Sequence, residues 1–457
     1  MIRTNPGKPL QGSLGDQRDF NIPGDKSISH RAALFSALAV GESEISNFLI
    51  ANVTKAMLDG LQELGFKWEF SGTTLKLAGK GIVNLPTTSG DLSSIIDCGN
   101  SATTMRLLAG ALPGMGKSAV LDGSSGLRKR PMTRIVKPLK KMGVPVQDTG
   151  GCAPLIIGKP KYPLKPLNYT LPVASAQVKT CILLAALIAE GETTVYEPGP
   201  SRDHSERMLK TMGVEIYKEP RDDKRDIPVP SRDYFVTRIL PPGNKRLTPL
   251  KMTIPGDISS GAFIIVAGLI CPDSEIKIEG LGINPTRIGI LDALLKMGAD
   301  ISIQNQQVLN DEPVADLVVR SSKLRGVELS GSEIVRMIDE FPIFAVAASY
   351  ADGITRVKDA EELRYKESDR IAAISSELSK IGVRIEEKPD GFTIYGGYSI
   401  EGGDVDSHGD HRLAMSLAVA GLSSKEGTRV KSAEVIAESF PDFINILKFL
   451  GADVQNN

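Results

Sequence analysis

The chain has 457 residues, a formal net charge of −1 and 41% hydrophobic residues, enough for two domains with real cores and too neutral for a nucleic-acid footprint over the whole chain. No window approaches the roughly 18 unbroken apolar residues of a membrane span, and the N-terminal MIRTNPGKPLQGS lacks the apolar core of a secretory signal. Cys98, Cys152, Cys181 and Cys271 form no C-x-x-C pair, so four buried, reduced thiols in a cytoplasmic protein are expected.

In chain order, one pattern recurs six times: an apolar helix, a short strand, a second helix ending at glycine, then another strand. The first copy opens at GDKSISHR (24–31), continues with GESEIS from Gly41 and closes its second helix at Gly65. GNSATTMR (99–106), GKSAVL from Gly116 and Gly143 form the second, with the basic loop GLRKRPMTR (126–134) inside it. ASAQVK (174–179), GETTVY from Gly191 and Gly213 form the third. A stretch rich in Pro and charge, 218–251, then reads as the link between domains, with a crossing near 253–255. The fourth copy has GDISSG (256–261), DSEIKI from Asp273 and Gly298; the fifth has IDEFP (338–342), GITRVK from Gly353 and Gly382; the sixth has HGDHR (408–412), GTRVKS from Gly427 and Gly451. The closing glycines are about 70 to 85 residues apart. This spacing predicts two domains of three repeats rather than a solenoid. The class is α/β, or α+β by some schemes, with mixed sheets around buried helices. Expected domains are 22–254 and 1–21 plus 255–457, with an N-terminal strand joining the last three repeats.

Polar residues gather at the start of each first helix. Taken singly, Asp, Ser, Asn and Thr there are plain N-caps. A helix N-terminus also binds anions, and Lys26, Arg31, Arg106, Lys179 and Arg412 sit where a cation opposes the helix dipole. An anionic ligand between two facing domains is therefore expected. ELRYKESDR (362–370) adds Lys366, Glu367 and Arg370 within about one helical turn, Lys366 and Arg370 sharing a face, near Asp339 of the same repeat. The plain alternative is a solvated, salt-bridged helix start. The other reading is an anion clamp beside two carboxylates whose proton affinities are pulled apart. PGMGKS (113–118) lacks the leading glycine and the strand-then-helix order of a P-loop. HGDH (408–411) has metal-like spacing, but only His30 and His204 remain elsewhere and no cysteine cluster exists, so no metal is expected.

GDKSISHR, GNSATTMR, RKRPM, ASAQVK, SRDHSERM, DEFP, LRYKESDR and GDHR together resemble, in order, the 5-enolpyruvylshikimate-3-phosphate synthase family over about residues 22–441. The resemblance implies a two-domain inside-out α/β fold, each domain built of three βαβαββ-type repeats and closing on substrate. It implies transfer of the enolpyruvyl group of phosphoenolpyruvate to the 5-hydroxyl of shikimate 3-phosphate, by a monomer without metal or organic cofactor. It implies shikimate 3-phosphate contacts at Lys26, Ser27, Arg31, Ser175, Ala176, Gln177, Arg202, Asp339 and Lys366. Phosphoenolpyruvate contacts would come from Lys26, Ala102, Arg130, Gln177, Arg370 and Arg412. Asp339 matches the proton acceptor and Glu367 the candidate acid, with Lys366 and Lys26 between the substrates. Ala102, where the glyphosate-sensitive class has glycine, resembles the tolerant class II. Glu438 stands in place of a phosphoenolpyruvate-contacting lysine of the sensitive class, so no contact is carried there. The enolpyruvyl transferase acting on UDP-N-acetylglucosamine resembles the chain less, having Lys-Asn at the first helix start and usually a cysteine in the loop that reads GSSGLRKRP (123–131) here. A non-catalytic clamshell that senses a phosphorylated metabolite is the alternative of another class.

Overall fold

The computed structural model describes residues 1–15, 18–82, 94–221, 234–244 and 246–456. The chain divides into two compact units, residues 26–254 and residues 1–25 with 255–457, and each encloses its own apolar core.

Each unit is built around three helices that are buried on nearly every face, most of their polar side chains gathered toward the start. In the unit of residues 26–254 they are Lys26–Leu38, Ala102–Ala111 and Ala176–Ala186. In the other they are Ile258–Ile270, Phe341–Ser349 and His411–Gly421, packed with Phe392, Phe440 and Phe443. Outer helices such as Thr133–Met142 and Arg370–Lys380 carry one buried face and end in the recurring glycine. Gly65, Gly143, Gly213, Gly298, Gly382 and Gly451 have φ of 85°, 92°, 89°, 88°, 94° and 102°, the left-handed region that ends a helix. A Cβ on Gly143 would meet nothing within 4 Å, so substitution there probes the backbone alone. Gly143→Ala should lower stability by about 1–2 kcal/mol in thermal or denaturant unfolding.

Six four-stranded sheets form among the described residues, each with one parallel and two antiparallel pairings. A strand of a repeat's sheet is often supplied from far along the chain. Lys251–Thr253 returns to Val40–Ser46 of the first repeat. Gln11–Leu14 pairs with Glu275–Gly282, and Ile2–Asn5 lies between Thr428–Lys431 and Asp453–Asn456.

Two expectations need correction. The stretch 218–251 is not simply a linker. Ile216–Arg221 and Tyr234–Ile239 are paired strands of the third repeat's sheet, and the tract 222–233 lies outside the described residues. Pro220 misled because proline is tolerated on an edge strand, and Ile216–Arg221 is the edge of its sheet. The division near the N-terminus falls after Asp25 rather than before Ile22. Residues 23–25 are held to the second crossing: the Asp25 amide donates to the Pro255 carbonyl and the Asp257 amide to that of Pro23. The Arg287 guanidinium adds Nη1 to Asp25 at 2.7 Å.

Candidate active site

In the unit of residues 26–254, the three inner helices begin with the motifs singled out above. Ser101 and Ser175 cap their helices, accepting from the amides of Thr104 and Val178. Ala102 is the first residue of its helix and is buried. Arg106 donates to Gln177 and to the Pro131 carbonyl, and Gln177 Nε2 donates to Thr103 Oγ1 at 2.7 Å, so the second and third helix starts are bound together. Arg130 follows the 3-10 turn Leu127–Lys129 in extended conformation. Arg202 Nη1 donates to Ser27 Oγ at 2.8 Å, joining the 201–204 segment to the first helix. Arg31 is buried beneath them, its nitrogens donating to Ser205 Oγ, the Ser27 carbonyl and Thr180 Oγ1 at 2.7, 2.9 and 3.0 Å. Lys26 opens the first helix, and its carbonyl meets His30 Nδ1 at 2.8 Å. Burial depresses the His30 imidazole to about 4, so the ring is neutral at pH 7. Its Nε2 reaches Ser101 Oγ and the Val53 carbonyl, tying the first helix start to the second.

Lys179 departs from the expectation. It does not face a ligand; it is fully buried between Glu197 at 2.8 Å and Glu206 at 2.6 Å. Burial alone would lower its ammonium, but the two carboxylates raise it above the ordinary lysine value. Its fourth position in the helix turns it inward, which a rule based on helix starts does not resolve.

In the other unit, the fifth and sixth repeats place their polar residues around one buried guanidinium. Arg370, 1% exposed, donates Nε to Asp410 Oδ2 at 2.7 Å and Nη2 to Glu367 Oε2 at 2.8 Å, with Nη1 3.5 Å from Asp339 Oδ1. Lys366 Nζ lies 3.9 Å from Asp339 Oδ1, and Arg412 Nη2 4.0 Å from Asp339 Oδ2. Arg412 Nη1 also donates to the Asp339 carbonyl at 3.4 Å. Burial would lower the Arg370 guanidinium, but Asp410 and Glu367 drive it upward. Burial would raise the Asp410 carboxyl, but Arg370 holds it below the usual carboxylate range. Asp410 also caps its own helix through the Arg412 amide at 2.9 Å.

Asp339, Lys366, Glu367, Arg370 and Arg412 thus converge, though not by the helical face expected. Glu361–Tyr365 is a 3-10 turn, Lys366 is extended, and the next helix starts only at Arg370, capped by Asp369. The turn is pinned by Arg364, which donates to Asp369, Glu387 and the carbonyls of Pro389 and Lys388. The HGDH spacing resolves into two separate pairs. His408 Nε2 meets Glu377 Oε1 at 2.7 Å, and His411 Nδ1 lies 3.6 Å from Glu438 Oε2. No group of three or more His, Cys, Asp or Glu among the described residues is placed to hold a metal.

Sequence reasoning overlooked several groups that build this cluster. Asp410 was legible as a cap but not as the counter-charge of Arg370. Arg287 joins Asp25, Asp257 and Ser259 at 2.7, 3.0 and 2.7 Å, and Ser259 donates in turn to Glu340, beside Asp339. These contacts span tens to hundreds of residues and have no local signal.

Comparison with known proteins gives the family. The family model described as EPSP synthase (3-phosphoshikimate 1-carboxyvinyltransferase) matches residues 5–447. A 3-phosphoshikimate 1-carboxyvinyltransferase of Citrifermentans bemidjiense is 44% identical over 97% of both chains. That of Synechococcus elongatus is 43% identical over 97% of this chain and 95% of its own. The solved EPSP synthase of Acinetobacter baumannii superposes with a TM-score of 0.82 at 36% identity, covering 100% of this chain and 99% of its own. The enolpyruvyl transferase NikO of Streptomyces tendae, at 18% identity and a TM-score of 0.75, covers 100% of this chain and 98% of its own and shares the fold. The chain belongs to the EPSP synthase family, the 3-phosphoshikimate 1-carboxyvinyltransferases, and is a transferase of the shikimate route to aromatic amino acids.

Proposed function

We propose that Asp339 takes the proton of the shikimate 3-phosphate 5-hydroxyl and that Glu367 protonates the methylene carbon of phosphoenolpyruvate. Protonation makes C2 electrophilic, the 5-oxygen adds, and the tetrahedral adduct then loses phosphate. The observation that supports this division is the single Arg370 guanidinium, which stands 3.5 Å from Asp339 and 2.8 Å from Glu367. A shared cation favours the ionised form of both carboxylates, which suits Asp339 as the base; the acid role of Glu367 follows from the family resemblance. Lys366 and Lys26 bridge the two substrates. Ser27, Ser175, Ala176, Gln177 and Arg202 face the phosphorylated ring, with Arg31 fixing Ser27 and the Ser205 turn beneath. Arg130, Arg412 and Gln177 meet the carboxylate and phosphate of phosphoenolpyruvate, where planar guanidinium forks suit both groups. Arg370 serves that subsite chiefly by holding Glu367 and Asp410. In this reading both units act on one substrate pair. A coupled assay of phosphate release from both substrates, wild type against Asp339→Ala, tests it.

The enzyme is further read as class II-like, a cytoplasmic monomer tolerant of glyphosate. Cys98, Cys181 and Cys271 are buried free thiols raised by burial, which supports a reduced setting, whereas Cys152, expected to be buried as well, is only partly so. Tolerance is supported by Ala102, whose methyl group is rigid and 2% exposed at the first turn of its helix. Ala102→Gly should lower the inhibitory glyphosate concentration on the order of tenfold, a difference of about 1.4 kcal/mol. Inhibition of the wild type as potent as that of a sensitive enzyme, with no change on substitution, rejects the reading.

A further inference from the structure

The Arg370–Lys380 helix grips the segment that carries Arg412 at two points. At its start, Arg370 holds Asp410. Two turns on, and so on the same face, lies Glu377, whose side chain is fully buried although it is a carboxylate. Glu377 Oε2 accepts the Asp406 amide at 2.9 Å, and Oε1 meets His408 Nε2 at 2.7 Å. Lys380 covers both oxygens from the solvent side at 2.7 and 2.9 Å.

The gripped segment is a tight turn that needs holding. His408 has φ of 50° and Gly409 of 72°, two left-handed residues in succession. A non-glycine residue in that region is strained by about 1–2 kcal/mol. The turn's own bonds are local: the His408 amide donates to Asp406 Oδ1, the Gly409 amide to Ser407 Oγ and the Asp410 amide to the Ser407 carbonyl. Ser407 Oγ also donates to the Ser432 carbonyl. Among the described residues, Glu377 ties residues 406 and 408 of the turn to the helix, two turns beyond the Arg370–Asp410 pair. Burial would raise the Glu377 carboxyl, but Lys380, His408 and the Asp406 amide bring it below its ordinary value, so it is an anion at neutral pH.

We propose that Glu377 and His408 are positioning residues for Arg412: their contact fixes the 406–409 turn to the Arg370–Lys380 helix and so sets where Arg412 presents its guanidinium. Neither residue is among the substrate contacts of that reading. The proposal rests on the reading of Arg412 as a phosphoenolpyruvate ligand. It absorbs the histidine that metal-like spacing had singled out.

The test uses the full-length enzyme. His408→Gly removes the ring while keeping a residue that adopts the left-handed conformation freely, so a purely backbone role predicts no loss. Glu377→Ala removes the partner. Each variant should raise the KM for phosphoenolpyruvate about five- to tenfold, or about 1–1.4 kcal/mol, and leave the calorimetric Kd for shikimate 3-phosphate within about twofold. The double variant should be no worse than Glu377→Ala, because the two act through one contact. An unchanged KM in a folded His408→Gly enzyme overturns the proposal. So does an equal loss on both substrates that follows the melting temperature. His408 is 44% exposed on its side chain, so His408→Gly keeps the test open if Glu377→Ala fails to fold. Arg412→Ala is the control for the underlying reading. If it spares phosphoenolpyruvate, the role of Arg412 is wrong and the proposal falls with it. If it raises that KM while His408→Gly and Glu377→Ala do not, only the positioning claim falls.

Discussion

Asp339→Ala should cut the rate of phosphate release by a factor of about 100 to 10,000, the range expected for loss of a general base. The fall should appear in kcat rather than in KM. Asp339 stands among three cations, Lys366 at 3.9 Å, Arg370 at 3.5 Å and Arg412 at 4.0 Å. Removing its charge leaves that group more positive, which does not weaken the hold on anionic substrates. Arg412 also keeps an anchor, because it donates to the backbone carbonyl of residue 339, which the substitution leaves in place. Asp339→Asn preserves the shape and should lose comparable turnover with little change in melting temperature. Phosphate release within about threefold of wild type in both variants would show that the proton goes elsewhere.

What the sequence disclosed and what it hid differ by the range of the interaction. The helix-ending glycines were legible because a left-handed terminus is a local requirement, and the six have φ between 85° and 102°. Even the irregular copy obeys the rule: where four other repeats place a left-handed glycine, the fourth has Asp273 at φ 57°, a residue type that tolerates the conformation. The caps Ser101, Ser175, Asp257 and Asp410 were legible for the same reason. Basic residues near helix starts were a poorer guide. Lys179 is held by Glu197 and Glu206, and Arg31 by Ser205 and Thr180, partners that only folding brings close. The ELRYKESDR segment was informative in composition but not in geometry. Its cations converge on Asp339 because a 3-10 turn ends at Tyr365 and reorients Lys366, not because residues 366 and 370 share a helix. Strand order was hidden for a related reason: Ile2–Asn5 finds its partners more than 400 residues away.

Arg370→Met should be the most damaging single change to the fold of residues 1–25 and 255–457, and its effect should depend on pH. The side chain is of similar length, but the positive charge is lost from the midst of Asp410, Glu367 and Asp339. Leaving buried charge without its partner destabilises by about 3–5 kcal/mol, which for a unit of this size lowers the melting temperature by roughly 10 °C. In the wild type Asp410 has a depressed pKa, so the stability it contributes is present above its unfolded value of about 3.9 and is lost as pH falls through the folded value. In the variant the sign reverses. Burial and the neighbouring Glu367, no longer opposed by Arg370, raise the Asp410 pKa above the unfolded value. The native state then binds the extra proton, and stability grows as pH falls from neutral. Melting curves between about pH 7 and pH 4 should therefore converge because the variant gains stability, while the wild type keeps its Asp410 contribution and loses it only below about pH 4. Arg370→Lys should recover only part of the loss, since an ammonium serves as a point charge whereas the guanidinium fork meets acceptors on three residues. Curves that stay parallel across that range would mean that the three carboxylates are balanced by some cation other than Arg370.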